Sequence, residues 1–334
     1  MIPHLSRAHL TALAVALFVT LLWSSSWVLI KWGLADIAPL PFAGLRYALA
    51  ALLLSPIILT AANRRRLAEC GRKRWALLIG FGLLQYAVTQ ACQFVALSYL
   101  PATTLSLMLA FTPALVALLG GVLLGEHVGW REMAGVAVFL GGAALYFLSR
   151  ALPAGAAIGL VIGATGVLAN AGQSLLGRKV NRDIGLPPSL ITAVSMAAGA
   201  AALLTTGVAV QGWPAISPRG WMIVGWLAVA NTALAFWLWN RAQAVLSALE
   251  SSLINNTMLI QIAVLAVLFL GERLTVTQIA GLALAGTGVL FVQLARMRPV
   301  AADHAVSATI GSREPLTLPK GAWEKDDSRS AQDR

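Results

Sequence analysis

The sequence predicts an all-α membrane protein of ten transmembrane helices, arranged as two inverted five-helix repeats. Three observations carry this. First, 58% of the 334 residues are hydrophobic and 11% are charged, against roughly 25% charged in a soluble domain. Whole stretches, His9–Ile30 and Trp75–Gly125 among them, hold no Lys, Arg, Asp or Glu. Second, the basic residues gather in short segments between apolar runs. Third, rare residues recur at a constant spacing of 146: Pro41 with Pro187, Trp75 with Trp221, Glu126 with Glu272, Gly135 with Gly281, Arg150 with Arg296.

Crossing a bilayer core takes about 20 apolar residues per helix. Turn and charge signals divide the chain accordingly. Helix 1 is expected over 10–30, after Arg7. Its run is too long for the apolar core of a cleaved leader, and no small-x-small cleavage pattern follows. Helix 2, over 41–60, enters through Pro41, and "NRRRLAECGRKR" at Asn63–Arg74 reads as the loop after it. Helix 3 spans 75–98. Pro101 then suits the first turn of helix 4, over 102–124, where a missing N–H costs nothing. Helices 5 and 6 fall at 131–149 and 155–177, and "GRKVNRDIGLPP" at Gly177–Pro188 is the next loop. Helices 7 to 10 fall at 187–209, 219–240, 247–270 and 275–295. The chain therefore divides into a short N-terminus (1–9), a first repeat (10–149), a second repeat (155–296) and a tail (297–334). The tail is rich in charge, Ser and Ala without apolar period, and is expected to be disordered.

Orientation follows from Lys and Arg near the span ends. The side holding the N-terminus, the loops after even-numbered helices and the start of the tail carries fourteen of them, Arg64–Arg66 and Arg72–Arg74 included. The other side carries four: Lys31, Arg150, Arg219 and Arg273. Both termini are expected in the cytoplasm. The net charge of +11 is thus a membrane-orientation signal, and no nucleic-acid partner is expected. Five helices per repeat is odd, so the second repeat enters the membrane from the opposite side. Glu126 is then cytoplasmic and Glu272 external. Inverted repeats commonly place a site near the midplane, between the halves.

Polar residues far from helix ends are the informative ones, because lipid tolerates them only against a partner or a cavity. Helix 1 offers Ser24 and Trp27. Helix 3 offers Gln85, Tyr86, Thr89 and Gln93; Gln85, Thr89 and Gln93 share one face at a spacing of four. Helix 6 holds Asn170 and Gln173, helix 8 holds Asn231 and Trp237, and helix 9 holds Asn255 and Asn256. Lining a central cavity, these amides, hydroxyls and rings would suit a small polar or zwitterionic solute with an apolar part. The same residue types also serve as glue between helices.

The charged candidates divide similarly. Arg46 either snorkels to the interface or meets a substrate carboxylate or a neighbouring helix end. Glu126 and Glu272 follow glycines that can end a helix, and a carboxylate there suits the positive start of the next helix. Gating ion pairs, such as Glu272 with Arg273, are the other reading. Glu250 is expected to pair with Arg241 at the cytoplasmic rim, or else to couple protons. Otherwise the membrane core holds no acid, and His4, His9, His127 and His304 fall outside the spans.

Taken together, these features resemble the EamA family of the drug/metabolite transporter superfamily. The resemblance is carried over residues 10–296 by "LLWSSSWVLIKWGL" in helix 1 and "PLPFAGLRYALAALLL" in helix 2. In helix 4 it is "LSLMLAFTPALVALLGGVLLGE", and helix 9 closes with "FLGE". The resemblance implies export or exchange of small metabolites, often amino acids or related compounds and sometimes toxic ones. One departure stands out. Leu259 occupies the position that matches the mid-helix Pro113, so the two halves are expected to bend differently.

The expected function is a secondary transporter of a bacterial inner membrane, exporting or exchanging a small metabolite by alternating access. Uptake is the alternative. An intramembrane enzyme would need a nucleophile with a base, or a metal cluster, inside the helices, and none is legible. Neither Cys70 nor Cys92 suggests a disulfide or metal site. No phosphate-binding loop is present for an ATP-driven pump. The expected partners are the substrate and the bilayer, with a proton or counter-substrate as the coupling species, no cofactor, and a monomer or homodimer as the assembly.

Overall fold

The computed structural model describes residues 7–124, 129–148 and 155–310. Within them are ten helices long and apolar enough to cross a membrane, one for each expected span. They are α1 (Arg7–Gly33), α2 (Pro39–Leu59), α3 (Arg72–Tyr99), α4 (Ala102–Leu109 followed by Thr112–Leu124) and α5 (Trp130–Leu148). The second half supplies α6 (Ala156–Asp183), α7 (Pro188–Gln211), α8 (Pro218–Gln243), α9 (Ala248–Leu270) and α10 (Val276–Ile310). Helix starts and stops follow local chemistry. Pro39 and Pro41 open α2, and Ser217 caps α8 by accepting from the Gly220 N–H at 3.0 Å. Gly271 closes α9 at φ 66°, a left-handed conformation that glycine adopts without strain.

Three boundaries differ from expectation. The first part of Asn63–Arg74, read as loop, belongs to a short helix, Ala61–Ala68, whose Leu67 is buried. α6 runs six residues beyond 177, because Val180 and then Ile184 find an apolar cluster with Leu67, Leu78 and Leu190. α10 continues past 296, and the unit Met297–Arg334 is helical as far as Ile310.

The packing displays the inverted repeat directly. In α5 and α10, glycines let the backbones approach closely. A Cβ on Gly135 would sit 2.8 Å from the Val292 nitrogen and 3.0 Å from the Gly288 carbonyl oxygen. A Cβ on Gly281 would sit 2.7 Å from the Gly142 oxygen. Gly135 and Gly281 are repeat equivalents, as are Gly142 and Gly288. Exchanging the halves therefore turns the contact of Gly135 with Gly288 into that of Gly281 with Gly142. The equivalent helices α2 and α7 likewise pack along one another, while α1 lies on α9 and α3 on α6.

Two further features compare the halves. Both α3 and α8 widen into a π-helical turn, at Leu83–Val88 and Val229–Leu234, positions that the repeat spacing superimposes. In contrast, α4 is interrupted at Ala110–Phe111 before Pro113, whereas α9 is continuous through Leu259. Proline has no N–H for the ladder and its ring crowds the preceding turn. Leucine at the matching position keeps α9 whole.

Candidate functional site

The π turns lie near the middle of α3 and α8, and they gather the polar residues of the first half against those of the second. π turns recur at functional sites because the extra residue redirects side chains. Here Thr89 Oγ1 donates to the Leu84 carbonyl and Thr232 Oγ1 to the Leu227 carbonyl, each at 2.8 Å and five residues back. These bonds occupy hydroxyl hydrogens and leave the Thr232 oxygen free to accept. It accepts from Arg46 Nε at 3.1 Å.

Arg46 is 5% exposed, so it does not snorkel to the interface. Its guanidinium lies 5.1 Å from the centroid of the Tyr47 ring, and Tyr47 packs on Tyr86 with centroids 5.6 Å apart. Among the described residues, no carboxylate pairs with it. A buried cation held by one hydroxyl and a ring face is incompletely compensated.

Beside Thr232, Asn231 is fully buried. Its Nδ2 donates to Ser25 Oγ at 3.1 Å and to the Leu22 carbonyl, tying α8 to α1. Its Oδ1 has no hydrogen-bond partner, and neither has Oε1 of Gln85, next to Tyr86. Both oxygens are inaccessible, and both require donors that the described residues do not supply. Arg46 thus meets the π turn of α8 through Thr232, beside Asn231, while Gln85 holds its unpartnered oxygen at the equivalent position in the π turn of α3.

Other expected site residues lie elsewhere. Ser24 donates to Gln261 Oε1 at 2.9 Å, and Gln261 Nε2 donates to Thr20 and Thr257 at 3.1 and 3.0 Å. This network joins α1 to α9. Trp27 is buried in the apolar core with Phe42 and Phe94. Gln173 donates to Asn170 Oδ1 within α6, at 3.1 Å. Asn256 pairs with Gln293 of α10 at 2.6 Å. Asn255 and Trp237 are exposed, and Trp237 lies under the Arg241 guanidinium. The shared face expected for Gln85, Thr89 and Gln93 assumed an unbroken α-helix. The π turn at Leu83–Val88 takes in Gln85, and Thr89 is buried while Gln85 and Gln93 are half-buried.

The expected gating acids are also resolved by their partners. Glu272 reaches across the repeats to start α4. Its oxygens accept from the Ala102 and Thr103 N–H groups at 2.6 and 3.3 Å and from Thr103 Oγ1 at 2.6 Å. It therefore caps α4 rather than the helix that follows it. Tyr146 of α5 lies 3.0 Å from both Thr103 and Thr104 hydroxyls. With Thr103 donating to Glu272, hydrogens run in one direction from Thr104 through Tyr146 and Thr103 to the carboxylate. Nearby, Lys31 donates to the Leu97 and Leu100 carbonyls at 2.5 and 2.8 Å, where the end of α3 presents unpaired oxygens. Glu250 forms a capping box with Ser247 and accepts from His9 at 2.7 Å. That replaces the expected pair with Arg241, and places His9 inside α1. Glu126 lies outside the described residues.

Sequence reasoning missed Tyr47 and Lys31 as organising residues. Tyr47 follows Arg46 directly, a neighbourhood that could have flagged it. Lys31 gave no signal, because its nearer partner lies 66 residues away.

Comparison with known proteins bears on the whole architecture. The chain is 29% identical over 289 residues to the uncharacterized transporter YvbV of Bacillus subtilis (strain 168), covering 84% of this chain and 91% of that one. It is 32% identical over 129 residues to a probable amino-acid metabolite efflux pump of Escherichia coli (strain K12), covering 38% of this chain and 40% of the relative. A protein of known crystal structure shares the fold at TM-score 0.61 and 19% identity, over 86% of this chain and 99% of its own. The sequence model of the EamA-like transporter family matches residues 10–148 and again 157–294, one match on each five-helix repeat, and the chain belongs to that family.

Proposed function

We propose that this protein is a secondary transporter that exports or exchanges a small polar metabolite by alternating access. In this reading it works in a bacterial inner membrane with both termini in the cytoplasm. The carrying observation is that the Gln85 and Asn231 oxygens, at equivalent positions in the π turns of the two repeats, are buried in mid-span without donors among the described residues. A structural protein gains nothing from orphan acceptors in a bilayer, where each costs free energy. A carrier does, because its substrate completes them. The inverted halves supply two related conformations around one site. The name of the Escherichia coli relative supports export as the direction and a metabolite as the cargo. The excess of Lys and Arg on one side, fourteen against four, supports the orientation.

The test compares metabolites in the medium of cells expressing the intact protein with those of cells expressing the Gln85→Ala Asn231→Ala double variant at equal membrane abundance. A compound enriched in the medium at least tenfold more by the intact protein is the expected result. Depletion of a compound from the medium would reverse the direction to uptake. Identical media with the two proteins would overturn the assignment of the site.

A further inference from the structure

The end of α2, the short helix Ala61–Ala68, the start of α3, the end of α6 and the start of α7 share one apolar cluster. Leu67, Leu78, Val180, Ile184 and Leu190 are buried in it, and Trp75 packs against it. Basic residues stand directly beside these anchors. Arg64, Arg65 and Arg66 precede Leu67, Arg72, Lys73 and Arg74 precede Trp75, and Arg178, Lys179 and Arg182 flank Val180. All nine are exposed. Across residues 55–81 and 174–194 the acids are Glu69 and Asp183, and Asp183 pairs with Arg182 at 2.9 Å. Among the described residues, the other eight cations have no carboxylate within ion-pair distance.

Orientation in the membrane calls for such charge on one side, but not for its arrangement. After α2 the chain folds back on the cluster. Asn63 Nδ2 donates to the Ile57 carbonyl at 2.8 Å, and Leu67 is buried four residues on. That spacing sets Asn63 and Leu67 on one helix face and leaves Arg64–Arg66 outside. The last turns of α6 do the same, with Val180 buried and Arg178, Lys179 and Arg182 exposed. The repeat does not demand this. Its spacing matches Arg64–Arg66 with Val210–Gly212 and Arg72–Arg74 with Pro218–Gly220, where Arg219 is the one cation, and Gly212–Ser217 is not helical.

We propose that this face binds the phosphate headgroups of anionic phospholipids in the adjoining leaflet, which thereby hold the two repeats together at this end. The short helix and α3 belong to the first repeat and α6 and α7 to the second. Cations crowded around their shared cluster repel one another, and phosphates lying among them relieve that repulsion. Basic clusters beside membrane spans attract anionic lipid, and the arginine fork matches phosphate oxygens. A lipid is favoured over a soluble anion because the cluster lies at the ends of four spanning helices, where headgroups are concentrated.

The experiment follows thermal unfolding of the purified full-length protein in dodecyl maltoside. The probes are phosphatidylglycerol, phosphatidylcholine with the same acyl chains, and inorganic phosphate. Ligands that bind only the folded state raise the midpoint. Phosphatidylglycerol should give the same shift at about tenfold lower mole fraction than phosphatidylcholine, and added salt should narrow the gap. Arg64→Gln, Arg65→Gln, Arg66→Gln, Arg72→Gln, Lys73→Gln and Arg74→Gln together should close it, while Arg219→Gln should leave it unchanged. If the sixfold variant does not fold, the Arg64→Gln Arg65→Gln Arg66→Gln triple carries the comparison and should at least halve the gap. Equal responses to the two lipids, a gap undiminished in the glutamine variants, or a gap closed as fully by Arg219→Gln would each overturn the proposal. A shift by inorganic phosphate as large as that by phosphatidylglycerol would assign the face to a soluble anion and overturn the lipid. Charge that serves orientation alone acts at insertion, and predicts no headgroup preference in the purified protein.

Discussion

Where α3 turns into α4, Lys31 covers two helix-end carbonyls and Glu272 covers two helix-start N–H groups and a hydroxyl. At the π turns of α3 and α8, Arg46 meets a single hydroxyl, and Gln85 and Asn231 each bury an oxygen with no donor among the described residues. The same bilayer surrounds both regions. The first uses charge to complete helix ends, which carry partial charges of opposite sign; its polar groups stabilise the fold. The second holds buried oxygens that cost the unliganded fold free energy and that the proposed substrate would satisfy. Substitutions should therefore act in opposite directions on stability and on transport at the two places.

The largest stability effect is expected at the satisfied end. Glu272→Ala removes three accepted hydrogen bonds at the start of α4 and leaves the Ala102 and Thr103 N–H groups without a cap. Charge-assisted bonds of this kind contribute about 1.5–3 kcal/mol each, and they overlap, so a net loss of about 3 kcal/mol is expected. The thermal midpoint in detergent should fall by several degrees, while export per folded molecule stays within about twofold. A large transport defect in protein of normal stability would make this end a moving gate and erase the contrast.

The next effect has the opposite sign. Gln85→Met removes a buried oxygen that has no donor and keeps the side-chain length. Deleting an orphan polar atom should raise stability by about 1 kcal/mol, while export falls on the order of tenfold. Unfolding midpoint and export rate, measured on the same preparation, should move apart. If both fall, Gln85 has a structural partner and belongs with Glu272.

How much of this was legible depends on the range of the interaction. The ten spans follow from apolar length, a local property, and the repeat from rare residues at constant spacing. The difference between α4 and α9 could be read from Pro113 against Leu259, because proline acts on its own turn. Arg46 stood out as a charge within an apolar span, five residues after Pro41, but its burial did not, because snorkelling was equally open to it there. Ala61–Ala68 and the extension of α6 were misread because charge dominates both segments and hides single anchors, Leu67 and Val180. The π turns were invisible, since a period of 3.6 is assumed when faces are assigned. The Glu272 cap lies 170 residues from its N–H partner, and no local pattern encodes that.

The smallest effect concerns a residue that the sequence placed in the site and the structure pairs with another helix. Asn256 and Gln293 exchange amide hydrogen bonds at 2.6 and 3.4 Å, a closed pair. Hydrogen bonds between membrane helices average about 0.6 kcal/mol, because the separated helices find other partners. A double-mutant cycle of Asn256→Leu and Gln293→Leu should return a coupling of about that size, and all three variants should export at the wild-type rate. The cycle is informative because both residues are removed in turn. Glue predicts that either substitution exposes the same coupling and neither touches transport. A substrate contact predicts that Asn256→Leu lowers export while Gln293→Leu leaves it intact. That asymmetry would show that a satisfied amide can also serve the cargo, and that unsatisfied groups alone do not mark the site.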